Sequence, residues 1–305
     1  MNCVLEYITK NPQETKRLIG IDYEQLQQLI TQAVALEQQN LATNEEAKIR
    51  IIKQGGGRKP KLSVTEQILL TLVYLHHLPT FQMLGVQFGV SESTAHNLFH
   101  YWSKILRELL PASLLEQVKK NDWDWEWVKE MLGEWELVVD SSEQARERPK
   151  DYQEQKKFYS GKKKSHTLKN QLIVLPKGAE IVDVTVGQPG TSSDIKLFRA
   201  RQSEFDANQR FKGDKGYIGE VQIETPHKKP KQQELTREQK EENKQLSVKR
   251  IIVEHVIILV KIFRVAQERF RLRPQNYERV ILTVSGLVRL RVGALILPTR
   301  KPAKS

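Results

Sequence analysis

A mixed α/β domain preceded by an all-helical one is the fold class that this 305-residue sequence predicts. Three observations predict it. Apolar residues recur at helical spacing up to about residue 130; from residue 135 the pattern shortens to strand-length runs in WELVVD, HTLKNQLIVLP and AEIVDVTVGQP; helical spacing then returns in SSDIKLFRARQSEF and RIIVEHVIILVKIF. With 39% hydrophobic residues the chain can bury a core, and its length suits one large domain with smaller modules.

The formal net charge is +12. Such a surface attracts a polyanion, most simply nucleic acid, with an anionic membrane the weaker option. Cys3 is the only cysteine, which excludes a disulfide framework or a cysteine-based zinc site within one chain and fits a reducing compartment. MNCVLEYITKNPQETK lacks a sustained apolar core after a basic start, so no secretory leader is expected. RIIVEHVIILVKIF is interrupted by Glu254, His255 and Lys261 and falls short of the roughly 18 apolar residues of a membrane span. The expectation is a soluble protein with no membrane partner.

Element by element, Leu26, Leu29, Ile30, Ala33, Val34 and Leu36 predict a helix over 21–48, which the flexible basic linker GGGRKPKLS ends. Ser63 and Glu66 form a capping box ahead of the next apolar run. In TFQMLGVQFGVSESTAHNLFHYWSKIL a helix carrying Phe81, Leu84 and Phe88 turns at Gly89 into a second helix near Ser91. This is the layout of a helix-turn-helix, with Ser91, Glu92, Ser93, Thr94, His96 and Asn97 placed to face a major groove. A structural helix pair with a glycine turn would read similarly. The tryptophans of DWDWEW sit among acids that repel phosphate, so they read as packing residues. WELVVD ends in Asp140, Pro176, Lys177 and Gly178 connect the next two strands, a helix capped by serine and aspartate follows, and a short strand enters FKGDKG.

Three carboxylates depart from this background. Asp140 ends an apolar strand, where a side chain can reach a ligand beyond the sheet, although Asp-Ser-Ser-Glu also fits a helix cap. Asp214 lies in a glycine-flanked segment that could be only a turn. Glu254 interrupts an apolar helix and shares one polar stripe with Arg250 and Lys261. An intrahelical Arg–Glu pair, worth only tenths of a kcal/mol, does not account for all three. Converging carboxylates without cysteine, and without a clear histidine cluster, suit hard Mg²⁺ or Mn²⁺. Two such ions support in-line attack on a phosphodiester.

The segments LVVDSSE, RPKDYQEQKKFYSGKKKSHTLKNQ, GQPGTSSDIKLF, GDKGYIG and RIIVEHVIILVKIFRV, in this order, resemble the motifs of DDE transposases of bacterial insertion sequences, over roughly residues 60–275. The resemblance implies an RNase H-like mixed sheet flanked by helices, two divalent ions (Mg²⁺ or Mn²⁺) and cut-and-paste movement of DNA whose terminal inverted repeats are recognised by the N-terminal part. Asp140, Asp214 and Glu254 match the metal-binding catalytic triad, and Arg250 and Lys261 match the signature around the glutamate. The wider family often carries tyrosine where this chain has Ser247, three residues before Arg250. Lys162, Lys163 and Lys164 could be a solvated hairpin edge; the resemblance favours DNA contact, with His166 and Lys169 as weaker candidates.

The expected organisation is an N-terminal helix and basic linker over 1–60, a helix-turn-helix DNA-binding domain over 61–130, an RNase H-like catalytic domain over 131–290 and a basic tail over 291–305. HKKPKQQELTREQKEENKQ reads as a solvated helix or loop. The apolar segment near YERVILTVSGLVRLRVGALIL could pack on the core or pair with another protomer. The expected partners are double-stranded DNA, as element ends and target, and a second copy in a homodimer on DNA. The expected location is cytoplasmic and nucleoid-associated. The alternatives are a non-catalytic DNA-binding regulator derived from a transposase and a nuclease that cuts without joining strands.

Overall fold

The computed structural model describes residues 3–46, 60–121, 125–230 and 234–297. The chain opens with α1 (Cys3–Lys10), α2 (Thr15–Ile19) and α3 (Tyr23–Glu46). The helix expected over 21–48 is therefore α3, with two short helices ahead of it; most of the basic linker lies outside the described residues. Then come α4 (Val64–His77), α5 (Phe81–Phe88), α6 (Glu92–Leu109), α7 (Leu114–Lys120) and α8 (Trp125–Gly133). Ser63 and Glu66 close the expected capping box on α4. Gly89, at φ 69°, ends α5 in the left-handed conformation, and the Ser91 side chain caps α6. Trp123 falls outside the described residues.

The second half holds β1 (Leu137–Ala145), α9 (Tyr152–Phe158), β2 (Tyr159–Ser160), β3 (Ser165–Val174), β4 (Ile181–Pro189), α10 (Asp194–Arg199), β5 (Phe211–Lys212), β6 (Ile223–Glu224), α11 (Arg237–Lys261), α12 (Arg264–Gln267) and α13 (Tyr277–Arg291). β3 pairs antiparallel with β1 and with β4, whereas β5 joins β1 in parallel and β6 joins β5 in parallel. Three antiparallel strands continued by two parallel ones make the RNase H-like mixed sheet. It is flanked by helices and preceded by the helical region.

Alternation along the strands explains the layers. Val138 belongs to a large core shared with α4, α6, α11, α12 and α13. Leu137 and Val139 belong to a second core, on the other face, with α7, α8, Phe198 and Phe211. α13 packs between α6 and β4, so the segment that could have covered the core or paired with another protomer is buried on the chain's own core.

Two elements run further than their residue patterns indicate. β1 continues five residues past Asp140, because Ser141, Ser142, Glu143, Gln144 and Ala145 keep pairing with β3 after the apolar run has ended. α11 is one helix of 25 residues whose first half is the charged segment, exposed from Arg237 to Lys249 apart from Leu246 and the half-exposed Gln239 and Asn243. Thr236 and Gln239 supply its capping box, and Val253, Val256, Ile257 and Val260 bury the second half. Among the described residues no helix is long and apolar enough to cross a membrane.

Candidate active site and nucleic-acid interface

Asp140 sits in β1 two residues after Val138 and so faces the α11 side of the sheet. Asp214 comes from the turn after β5, where its Oδ1 accepts a hydrogen bond from the Gly216 amide at 2.7 Å. Glu254 comes from α11, exposed beside the buried Val253. All three line one cavity of about 430 Å³ with Glu143, Asp194, Lys162, Lys163, Lys169 and Lys261. The structure thus brings together three acids separated by up to 114 positions, on three different elements.

The acids are gathered but not closed on one point. Among the described residues no three carboxylate, imidazole or thiol groups already form a metal cage. Asp140 Oδ1 accepts from its neighbour's amide at Ser141, 2.7 Å away, and Oδ2 lies 3.6 Å from the guanidinium of Arg250. Burial pushes the Asp140 carboxyl up to about 6; the negative charges of Asp214 and Asp194 push the same way, against the pull of Ser141 and Arg250. A carboxylate raised by burial and like charge is under-compensated. The donor set fits hard divalent cations, since it offers carboxylate oxygens and neither sulfur nor an imidazole cluster.

Tyr217 fixes the Asp214 turn. Its ring is buried and its hydroxyl lies 3.1 Å from Ser141 Oγ and accepts from Gln171 Nε2 at 3.0 Å, tying the turn to the strand that carries Asp140. Burial drives the Tyr217 hydroxyl far above the usual phenol range, so it stays protonated. Arg250 is turned inward, only 13% exposed at its side chain, with Nε unpartnered. Lys164 is exposed on the same loop as Lys162 and Lys163 but does not line the cavity. His166 is half-buried and stacks edge-on against Tyr159.

At the other end of the chain, Ser91, Ser93, Thr94, His96 and Asn97 are all exposed on the first turns of α6. The Ser91 hydroxyl is engaged as the cap of Thr94 N at 3.2 Å. His96 stacks edge-on against Phe81, with ring centroids 5.0 Å apart.

Residue patterns alone did not single out Asp194, Glu143 or Tyr217 as neighbours of this cavity. Asp194 reads as a helix cap in SSDIKLF, yet Ser193 holds the cap position and the Asp194 side chain turns to Lys169. Glu143 accepts from Thr167 Oγ1 at 2.7 Å within the sheet.

A profile described as DDE superfamily endonuclease matches residues 139–289, a span that includes all three acids, and one described as the helix-turn-helix of DDE superfamily endonuclease matches residues 60–112. A curated relative in Microchaete diplosiphon, "Probable transposase for insertion sequence element IS702", is 36% identical over 229 residues, covering 74% of this chain and 79% of that protein. The chain belongs to the DDE transposases of insertion elements. Two solved Mos1 transposase assemblies also match the transposase: a pre-cleavage transpososome at 12% identity, over 74% of this chain and 84% of that one with a TM-score of 0.18, and a paired-end complex with the left transposon end at 12% identity, over 80% and 85% with a TM-score of 0.20. At such scores the backbones do not superpose over their length.

Proposed function

We propose that this transposase binds the terminal inverted repeats of its own element through the helix-turn-helix and cuts and rejoins DNA at the cavity formed by Asp140, Asp214 and Glu254. One observation carries the reading: three acids from a strand, a turn and a helix, far apart in the sequence, open into one cavity rimmed by Lys162, Lys163 and Lys261. The acids would hold two Mg²⁺ or Mn²⁺ ions. When bound, such ions supply an activated water or 3′-hydroxyl and stabilise the leaving oxygen during in-line phosphodiester attack. The protein's own part is to gather the carboxylates, to keep Tyr217 protonated beneath the Asp214 turn, and to neutralise backbone phosphates at the rim with lysines. Lys261 contacts DNA near the scissile bond from the cavity wall, and Arg250 joins it there on leaving Asp140. On α6, Ser93, Thr94, His96 and Asn97 read base edges, with Ser91 holding the helix start.

The reading divides the chain into an N-terminal helical region and linker (1–60), a repeat-binding domain (61–130), a catalytic domain (131–290) and a basic tail. The transposase works as a homodimer on DNA, because two ends must be held together, and acts at the nucleoid in the cytoplasm. The rival reading, a DNA-binding regulator without catalysis, draws on the Asp140–Arg250 contact, which would also suit an inert site.

The test is cleavage of a labelled duplex carrying the element's terminal repeat, with Mg²⁺ and with Mn²⁺, comparing the natural chain with Asp214→Asn. The expected result is metal-dependent cutting that the substitution lowers by about a hundredfold or more while repeat binding persists. Repeat binding with no cutting in either metal would overturn the catalytic reading in favour of the regulator.

A further inference from the structure

We infer that Lys169 and Asp194 form a positioning pair for the turn that carries Asp214, so that Asp194 adds its charge to that of Asp214 on one cation. The inference rests on the proposed metal-dependent reading.

Lys169 is a charged residue only 7% exposed. An ammonium at that depth needs fixed partners, and it has two: the Ser192 carbonyl at 2.6 Å and Asp194 Oδ1 at 3.0 Å. Gln171, two residues on along β3 and on the same face, donates through Nε2 to the Asp194 carbonyl and to the Tyr217 hydroxyl, each at 3.0 Å. β3 therefore grips the first turn of α10 through two side chains, and through Gln171 it grips the Asp214 turn as well.

That grip leaves the second oxygen of Asp194 facing the Asp214 turn. A Cβ placed on Gly216 would lie 2.8 Å from Asp194 Oδ2 and 2.9 Å from Asp214 Oδ1. Two carboxylate oxygens thus flank one glycine, less than about 6 Å apart. Like charges held that close favour a cation between or beside them. Lys169 occupies only the far oxygen of Asp194. An ion pair meant only to anchor α10 would not require the opposite carboxylate oxygen to point at the glycine that Asp214 also flanks.

The two roles separate in sign. By Coulomb's law alone, removing the Lys169 charge tightens cation binding; if Lys169 positions Asp194, removing it weakens binding. The experiment is an Mn²⁺ titration of the full chain without DNA, followed by calorimetry, with the melting temperature read alongside. Asp214→Asn is the reference for the metal centre itself. Asp194→Asn is expected to weaken Mn²⁺ binding by about tenfold or more, the range seen when supporting groups around a metal are lost. Gly216→Ala, which changes no charge and wedges the two carboxylates apart, is expected to act in the same direction and decides the matter should Asp194→Asn fail to fold. Lys169→Met should weaken binding and Lys169→Arg restore most of it. If Asp214→Asn weakens Mn²⁺ binding while Asp194→Asn and Gly216→Ala bind like the natural chain, the inference is overturned and the metal centre stands. Tighter binding in Lys169→Met overturns it too. If Asp214→Asn itself binds like the natural chain, the metal-centre reading falls first and takes this one with it.

Discussion

Arg289, with no exposed surface, joins three segments by using its five N–H groups. Its Nε meets Glu180 Oε1 at 2.5 Å and Nη2 meets Oε2 at 3.3 Å; Nη1 donates to the carbonyls of Pro111 and Ser113, and Nη2 to Gln117 Oε1. The pair therefore ties α13 to the β3–β4 connection and to the entry of α7. Breaking a buried pair from one side leaves the other charge uncompensated, at a cost of about 3–5 kcal/mol. Glu180→Gln is expected to lower the unfolding free energy obtained from urea melts by that much, and a loss below about 1 kcal/mol would show that water reaches the guanidinium. Nothing local in KGAEIV or LVRLRVG announces this contact across 109 positions. Of the three candidate acids only Glu254 breaks the pattern of its own segment; Asp140 fits a cap and Asp214 a turn, and they stood out only as a set, in the order of the motifs they share. Asp194 was hidden because a better-known local role, the helix cap, accounted for it.

Among elements, the helix-turn-helix was the most legible, because glycine and cap chemistry act within a few residues. Gly85 adds a constraint that only the three-dimensional arrangement reveals. Its carbonyl accepts from the Val90 amide at 2.9 Å, and a Cβ there would lie 2.7 Å from the Val90 carbonyl oxygen. The obstacle is backbone, which cannot rotate away. Gly85→Ala should push the start of α6 off α5, destabilising the chain by about 1–3 kcal/mol and re-aiming the residues from Ser91 to Asn97. If, as proposed, these residues read the terminal repeat and Lys162, Lys163 and Lys261 hold phosphates, fluorescence anisotropy at fixed salt gives a terminal-repeat affinity about tenfold weaker with binding to unrelated duplex unchanged. Equal loss on both duplexes would sink the argument. Less legible were β1 and α11, where polar residues run on inside an element: strand pairing with β3 and a capped helix start override side-chain polarity.

At the scale of the molecule, the helical region and the sheet share one apolar core through α12 and α13, so their seams bear on the stability of the whole. His76 lies in such a seam. Its ring is edge-on to Phe263, 5.5 Å between centroids, and its Nδ1 is 3.3 Å from His77 Nε2, which in turn contacts the Leu18 carbonyl at 2.7 Å. Burial, with the charges of His77, Arg291 and Arg264 acting the same way, lowers His76 from 6.5 to about 4. The unfolded chain therefore binds a proton near pH 6.5 that the folded chain refuses until about pH 4. The stabilising contribution is complete above the unfolded value and is lost as pH falls toward and through the folded one. Asp140 runs the other way, since its carboxyl is raised by folding and acid relieves it, and His100, also held near 4, runs with His76. Comparing variants isolates one group from this sum. His76→Leu should lose roughly 1–2 kcal/mol less stability than the natural chain between pH 7 and pH 4.5, after allowance for partial solvent screening. Thermal melts of both chains across that range provide the check. Parallel curves would mean that His76 takes up its proton in the folded state without strain, and that the seam between the N-terminal helices, α4 and α12 is open to water.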